Sequence, residues 1–95
     1  MRSSISQDEF ALIVTAVLDS DPDVQKYTIT DKGVSVSICA SMRREKASAF
    51  LDFDDRGAIT GRFSYAQTDA GAQKPREIGA RISAEILKAM TERVQ

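Results

Sequence analysis

The chain has 95 residues, 42% of them hydrophobic, and its 13 basic and 14 acidic side chains give a formal net charge of −1. This length suits one domain of modest stability, and the balanced charge gives no overall attraction to nucleic acid or to an anionic membrane. With no histidine and one cysteine, the chain lacks the commonest general base and cannot form a thiolate-rich zinc site. We therefore expect no catalytic constellation, no metal and no cofactor.

The cellular location is predicted from the cysteine and from the apolar runs. Cys39 is the single cysteine, which indicates a reducing compartment. Residues 1–9 do not resemble a secretory signal. The longest apolar run, Phe10 to Val14, is too short to cross a bilayer. The sequence thus predicts a cytoplasmic protein without membrane contact.

The first helix is marked by its capping signals. Ser6 and Glu9 form an S-x-x-E capping box, and Ile5 before them can pack against Phe10. Apolar residues then recur every three or four positions until Pro22 ends the pattern. The sequence predicts a helix over residues 7–19.

Four strands are expected after this helix, because apolar and polar residues alternate between turn sequences. They cover residues 24–30, 34–40, 46–54 and 58–66. The loop containing Asp31, Lys32 and Gly33 must hold an even number of residues to keep the apolar side chains of the first two strands on one face. Short connections favour an antiparallel meander.

The last hairpin gives a specific prediction of register. If Gly57 adopts a left-handed conformation and closes a three-residue loop, Asp54 pairs with Ala58. Counting outward from this pair places an apolar set on the core face: Phe53 with Ile59, Leu51 with Gly61, Ala49 with Phe63, and Ala47 with Tyr65. The other face then pairs Asp52 with Thr60, Phe50 with Arg62, and Ser48 with Ser64.

The final helix is predicted over residues 75–93. Residues 68–74 are polar and are interpreted as a loop, and Pro75 suits a first helical turn. A stripe of apolar residues from Ile78 to Val94 follows at helical spacing. The predicted fold is α+β in αββββα order, a four-stranded antiparallel meander sheet with both helices packed on one face, and residues 1–95 form one domain.

A functional surface is expected on the sheet face that the helices leave open. There, Phe50 opposite Arg62 is the sharpest feature, because a guanidinium stacked on an open ring can contact a partner; the same pair can also act only to stabilise the hairpin. The candidate partner-binding residues are Phe50, Arg62, Ser48 and Thr60. Aspartates near the hairpin tip, Asp52 and Asp54, give an enzyme as a third reading.

Basic residues offer an alternative site for phosphate. The candidates are Arg43, Arg44 and Lys46 in the second loop, with Lys74 and Arg76 at the start of the last helix. The stretch 71–76 followed by Ala80, within a helix–strands–helix order, resembles the double-stranded RNA-binding domain in position. That family has three strands and a lysine-rich helix start, whereas this chain has four strands and Pro75, so membership is not assigned.

These observations give two principal hypotheses. The first is a non-catalytic protein-interaction or accessory module whose partner is another protein or a second copy of itself, since a meander leaves its first and last strands as open edges. The second is a nucleic-acid-binding module that uses the basic residues.

Overall fold

The computed structural model describes residues 4–40, 45–66 and 69–92. Along the chain it contains one helix, four strands and a second helix, with the following bounds: α1 Gln7–Asp19, β1 Val24–Thr30, β2 Gly33–Ala40, β3 Glu45–Phe53, β4 Ile59–Ala66 and α2 Asp69–Glu92. The strands form one antiparallel sheet in the order β1-β2-β3-β4. The predicted α+β class and αββββα order are therefore confirmed.

Helix α1 begins as its capping box predicts. The Ser6 hydroxyl accepts from the Glu9 N–H at 3.2 Å, and the Glu9 carboxylate accepts from the Ser6 N–H at 3.3 Å. Ile5 and Phe10 are both buried in the core, and the Phe10 ring lies 5.7 Å from that of Phe53. The helix is thus fixed at its first turn by local hydrogen bonds and by packing on β3.

The core lies between one face of the sheet and the two helices. From the sheet it takes alternate residues of β2 and β3, because side chains on a strand point to opposite faces at successive positions. The helices contribute one stripe each. The buried apolar side chains include Val34, Val36, Ile38, Ala47, Ala49, Leu51 and Phe53 from the sheet, Phe10, Val14, Val17 and Leu18 from α1, and Ile78, Ile82, Ile86 and Met90 from α2.

The turn between β1 and β2 holds two residues, Asp31 and Lys32, because Thr30 pairs with Gly33. The expectation of an even-numbered loop is confirmed. Lys32 has a left-handed φ of 56°, and the Gln7 side chain accepts from its N–H at 2.9 Å while donating to the Thr30 carbonyl at 2.8 Å. The start of α1 therefore holds this turn in place.

The β3–β4 hairpin closes as the sequence predicts and then departs from the predicted register. Gly57 has a φ of 91°, the Asp54 N–H donates to the Ala58 carbonyl at 2.9 Å, and Phe53 pairs with Ile59. The next pair is Asp52 with Gly61 rather than with Thr60. Thr60 is thus the extra residue of a β-bulge, and a shift of one residue turns every later side chain of β4 to the opposite face.

The bulge corrects the predicted faces of β4. The observed pairs beyond it are Leu51 with Arg62, Phe50 with Phe63, Ala49 with Ser64, Ser48 with Tyr65, and Ala47 with Ala66. Two packing features accompany the shift. The Asp52 carboxylate lies between two glycines, and α2 runs so close to the sheet that a Cβ on Gly79 would lie 3.2 Å from Ile59 Cδ1. A helix this close leaves little room for large rings on its side of β4.

Helix α2 begins at Asp69, six residues before the predicted start. The stretch predicted to be a loop, residues 68–74, is therefore helical from Asp69, and Pro75 lies inside the helix. Proline has no N–H to donate to the carbonyl of Gly71, so the first turns depend on other contacts, which include an ion pair of Lys74 described below. Within the described ranges, neither helix is long and apolar enough to cross a membrane.

Candidate functional site: the outer face of the sheet

The sheet face opposite the helices, here called the outer face, carries mostly hydroxyl-bearing and charged side chains. Alternation along the strands and the observed register place on it Lys26 and Thr28 of β1, Ser35 and Ser37 of β2, Lys46, Ser48, Phe50 and Asp52 of β3, and Phe63 and Tyr65 of β4. The predicted polar character of this face is thus observed for β1 to β3. The aromatic residues of β4 are the difference.

Three aromatic side chains lie together near the β4 edge of the outer face. Phe50 pairs directly with Phe63, and Tyr65 is two residues further along β4 on the same face. Phe63 is 74% exposed, Tyr65 64% and Phe50 38%. We call these three residues the aromatic patch. Rings this exposed leave apolar surface in water that neither helix can cover, since both helices lie on the other face.

The four predicted partner-binding residues are not brought together. Phe50 and Ser48 lie on the outer face as expected. Arg62 pairs with Leu51 on the helix-facing side, and Thr60 is the bulged residue. The predicted Phe50–Arg62 pair was therefore wrong, because the register shifts by one residue at Thr60. Gly61 was the available signal, since an isolated glycine inside a strand pattern often marks a bulge.

A shallow depression of about 360 Å³ lies beside the aromatic patch. It is lined by Gln25, Lys26, Ser37, Ile38, Lys46, Ala47, Ser48 and Tyr65. Two ammonium groups and the polar side chains of Gln25, Ser37 and Ser48 border it, and none of these lining residues is acidic. The depression thus has local positive charge although the chain as a whole does not.

The basic residues predicted to bind phosphate are separated. Lys74 Nζ lies 2.9 Å from Asp21 Oδ2 and 3.4 Å from Asp23 Oδ2, so its charge is already neutralised. Lys46 lies on the outer face, and Arg76 is exposed on α2. Arg43 and Arg44 are outside the described residues. No phosphate-binding edge is formed by the members that the structure describes.

The Asp21–Lys74 pair is mainly a structural feature. The Asp21 side chain is only 3% exposed. Burial raises its pKa, but the Lys74 ammonium 2.9 Å away, the N–H of Asp23 at 3.0 Å and the charge of Arg81 together lower it below its usual value. The adjacent Asp21 carboxylate in turn raises the pKa of Lys74. The pair therefore fastens α2 to the connection between α1 and β1.

The aspartates near the hairpin tip have structural roles in this arrangement. Asp54 Oδ1 accepts from the backbone N–H groups of Arg56 and Ala58 at 2.8 and 2.9 Å, which shapes the turn. Asp52 lies between Gly33 and Gly61, and the missing Cβ of Gly33 leaves space for its carboxylate, since a Cβ there would lie 2.7 Å from Asp52 Oδ1. The two depressions described in this section lie away from both residues. The enzyme reading gains no support from this geometry.

A second depression, of about 520 Å³, lies between the two helices. Its lining includes Leu12 and Ile13 of α1 and Arg81, Ala84 and Glu85 of α2. Leu12 is 71% exposed, but the other apolar groups here are small or half-buried. This groove therefore presents one large exposed apolar side chain, whereas the aromatic patch presents three.

Neither the metal-ligating residue types of the described chain nor similarity to known proteins indicates a further site. In the ranges that the structure covers, no three His, Cys, Asp or Glu side chains converge so that they could hold a metal ion. A comparison of the chain with family models, with curated proteins and with solved structures finds no match.

Proposed function

We propose that this protein is a non-catalytic interaction module that binds a protein partner through the aromatic patch and the adjoining edge of β4. The observation that carries the proposal is the exposure of Phe63 and Tyr65 on an open sheet face. Aromatic residues are enriched in the buried centres of protein interfaces, where they frequently contribute most of the binding energy. Without a partner, most of each of these two rings would remain in water.

The position of the patch supports the same proposal. Within the described chain β4 pairs only with β3, so unpaired backbone groups lie next to the exposed rings. A partner strand added there would gain main-chain hydrogen bonds and side-chain contacts together, which is the mode called β-augmentation. The polar residues of β1 to β3 would then form a hydrated rim around the contact.

Binding by the aromatic patch is tested with the double variant Phe63→Ser, Tyr65→Ser. We expect it to lose a protein that the wild type retains in affinity capture, with a loss of at least tenfold, because two exposed anchors are removed while the core is left intact. The matched control is Leu12→Ser, Leu87→Ser, which removes two exposed leucines from the helices. Equal recovery of every retained protein by the patch variant and the control would contradict the proposal.

Binding of single-stranded nucleic acid is the second candidate function, and the charge and shape of the depression beside the aromatic patch favour it. Aromatic rings on an open sheet can stack bases, and Lys26 and Lys46 border the depression next to Tyr65. This candidate replaces the scattered basic residues of the sequence-based hypothesis with a single surface.

The nucleic-acid candidate predicts binding of a single-stranded oligonucleotide that weakens steeply with added salt, because phosphate contacts release counterions. Lys26→Gln with Lys46→Gln should lower both the affinity and the salt slope, whereas Arg76→Gln on α2 should change neither. Fluorescence anisotropy over a range of salt concentrations measures both quantities. Absence of binding at low salt would remove this candidate and leave the protein-interaction proposal unaffected.

A further inference from the structure

The free backbone groups of β4 can be assigned from the hydrogen bonds at the hairpin. The Phe53 N–H points to the β2 side of β3, where it donates at 2.8 Å to the carbonyl of Lys32, the residue just before β2. In antiparallel sheets successive residues direct their backbone groups to opposite neighbours, so Asp52, Phe50 and Ser48 bond β4 through their partners Gly61, Phe63 and Tyr65. The N–H and C=O groups of Arg62, Ser64 and Ala66 therefore point away from the sheet.

The two edges of the sheet differ in their protection against pairing. Both edge strands carry a bulge, between Val24 and Lys26 in β1 and at Thr60 in β4, but β1 also has an exposed lysine and a hydrogen bond from Gln7 at its last residue. These are features that natural proteins use to block an open edge. From Gly61 to Ala66, β4 is regular, has no proline or lysine, and has Arg62 as its one charged residue. Of the two edges, β4 is thus the one suited to pairing.

A second copy of the same strand fits this edge in a limited number of registers. Residues opposite each other in a sheet share a face, so Phe63 can oppose Gly61, Phe63 or Tyr65 of the second copy. The first register brings two Arg62 side chains opposite each other, which is unfavourable. The second register places the outward N–H and C=O groups of Ala66 opposite Thr60, where the bulge interrupts the regular strand.

The third register, with Phe63 opposite Tyr65 of the second copy, uses all the free groups. It places Ser64 opposite Ser64 of the second copy on a two-fold axis and pairs Arg62 with Ala66 on either side. All three outward-facing residues are then hydrogen-bonded. The two aromatic pairs occupy non-hydrogen-bonded positions, where Cα atoms approach to about 4.5 Å and side chains are closest.

We infer that the protein forms a two-fold dimer in which β4 pairs antiparallel with β4 of a second copy, with Ser64 on the axis and Phe63 against Tyr65 of the second copy. The inference rests on the proposed function and names a partner for it. Pairing would join the two sheets into one of eight strands and merge the two aromatic patches across the axis. The net charge of −1 gives little repulsion between copies.

The expected affinity follows from the area available. The exposed parts of Phe63 and Tyr65 amount to roughly 250 Å² per copy, about a third of the ~800 Å² that each partner buries in a standard interface. We therefore expect a dissociation constant in the micromolar range. Sedimentation or light scattering over a series of concentrations should show the mass rise from that of one chain to that of two.

Charge variants at the axis test the pairing. Ser64 is exposed and faces the helix side, so Ser64→Lys and Ser64→Glu should fold, and each alone should weaken dimerisation at least tenfold because like charges meet. An equimolar mixture should restore the dimer, since opposite charges then meet. Ala16→Lys, at an exposed position of α1 away from β4, is the control that should dimerise as the wild type does.

Cysteine variants test the register. In a Cys39→Ser background, Ser64→Cys should form a disulfide-linked dimer on mild oxidation, because hydrogen-bonded partners have Cα atoms about 5.5 Å apart. Arg62→Cys in the same background should not, as its two copies would be four residues out of register, about 13 Å apart along the strand. Efficient cross-linking of the Arg62→Cys variant but not of the Ser64→Cys variant would overturn the assigned register.

The inference and the proposed function can fail separately. A wild type that keeps the mass of one chain at high micromolar concentration overturns the dimer. The proposed function still stands if Phe63→Ser, Tyr65→Ser loses a different protein in the capture experiment. If the wild type is monomeric and the patch binds only an oligonucleotide, both are overturned.

Discussion

Gly57→Ala is expected to lower the free energy of unfolding by about 3 to 4 kcal/mol, combining the cost of a left-handed residue with that of overpacking. The φ of 91° is one that residues with a Cβ rarely adopt. The new Cβ would also lie 2.7 Å from Ile86 Cγ2 and 2.9 Å from Ile86 Cβ, both in the buried core. The turn cannot move freely to relieve this contact, because Ser83 donates to the Gly57 carbonyl at 2.6 Å.

Urea unfolding measures this loss, and Gly61→Ala is the matched control. A Cβ on Gly61 would meet Asp52 Oδ2 at 3.4 Å, an ordinary contact, and Gly61 has no left-handed φ. We expect its cost to remain within about 1 kcal/mol. If the two alanine variants were equally stable, the hairpin tip would not be packed against α2 as described.

Lys74→Met is expected to cost about 2 to 3 kcal/mol, because it leaves the Asp21 carboxylate buried without its nearest countercharge. Asp21 is 3% exposed, and the remaining cation, Arg81, lies 3.8 Å from its Oδ2. The change also weakens the first turns of α2 before Pro75. Arg76→Met removes an exposed cation two residues along the same helix and should change stability by less than about 0.5 kcal/mol.

The pH dependence of the Lys74→Met effect provides a second readout. In the wild type the pKa of Asp21 is lowered from 3.8 and that of Lys74 is raised from 10.5. The stabilisation by the Asp21–Lys74 pair is therefore present between these two values. It is lost as the pH falls through the folded-state pKa of Asp21, and it is also lost as the pH rises through the folded-state pKa of Lys74. Without Lys74, burial moves the pKa of Asp21 upward.

We accordingly expect the stability difference between the wild type and Lys74→Met to narrow as the pH falls, first through the raised folded-state pKa of Asp21 in the variant and then through its lowered pKa in the wild type, because Asp21 is protonated in both proteins only below the second. Urea unfolding at several pH values measures it. Asp21→Asn together with Lys74→Met should cost less than Lys74→Met alone, because no charge is then left buried. A difference that stays constant down to pH 2 would show that the lost stability does not come from the charge pair.

Features set by neighbouring residues could be predicted from the sequence. The start of α1 depends on Ser6 and Glu9, and the closure of the β3–β4 hairpin depends on Gly57 and Asp54. In each case the responsible hydrogen bonds join residues at most four positions apart. The faces of β2 and β3 were also predictable, because strict alternation in a central strand leaves a single way to bury its apolar side chains.

The candidate site was predicted only in part. Phe50 and Ser48 lie on the outer face as expected, but Phe63 and Tyr65, the most exposed rings, are ones that the sequence pattern places in the core. In residues 62–65 polar Arg62 and Ser64 alternate with aromatic Phe63 and Tyr65, which puts the two rings on one face of the sheet and ordinarily predicts the core face rather than the outer one. One extra residue at Thr60 decided between them, and Gly61 was the only local indication of it.

By itself, the sequence determined the order of elements, the first helix cap, the turn at Gly57 and the apolar faces of the central strands, because each depends on local hydrogen bonds or on strict periodicity. Only the tertiary structure decided the face of β4 and the start of α2. The first depends on how closely α2 approaches the sheet at Gly79, and the second coincides with the pairing of Lys74 with Asp21, 53 positions earlier in the chain. Contacts over such separations leave little mark on the local pattern of residues beyond Gly61, so the face on which Phe63 and Tyr65 lie is set by the packing of the helices on the sheet.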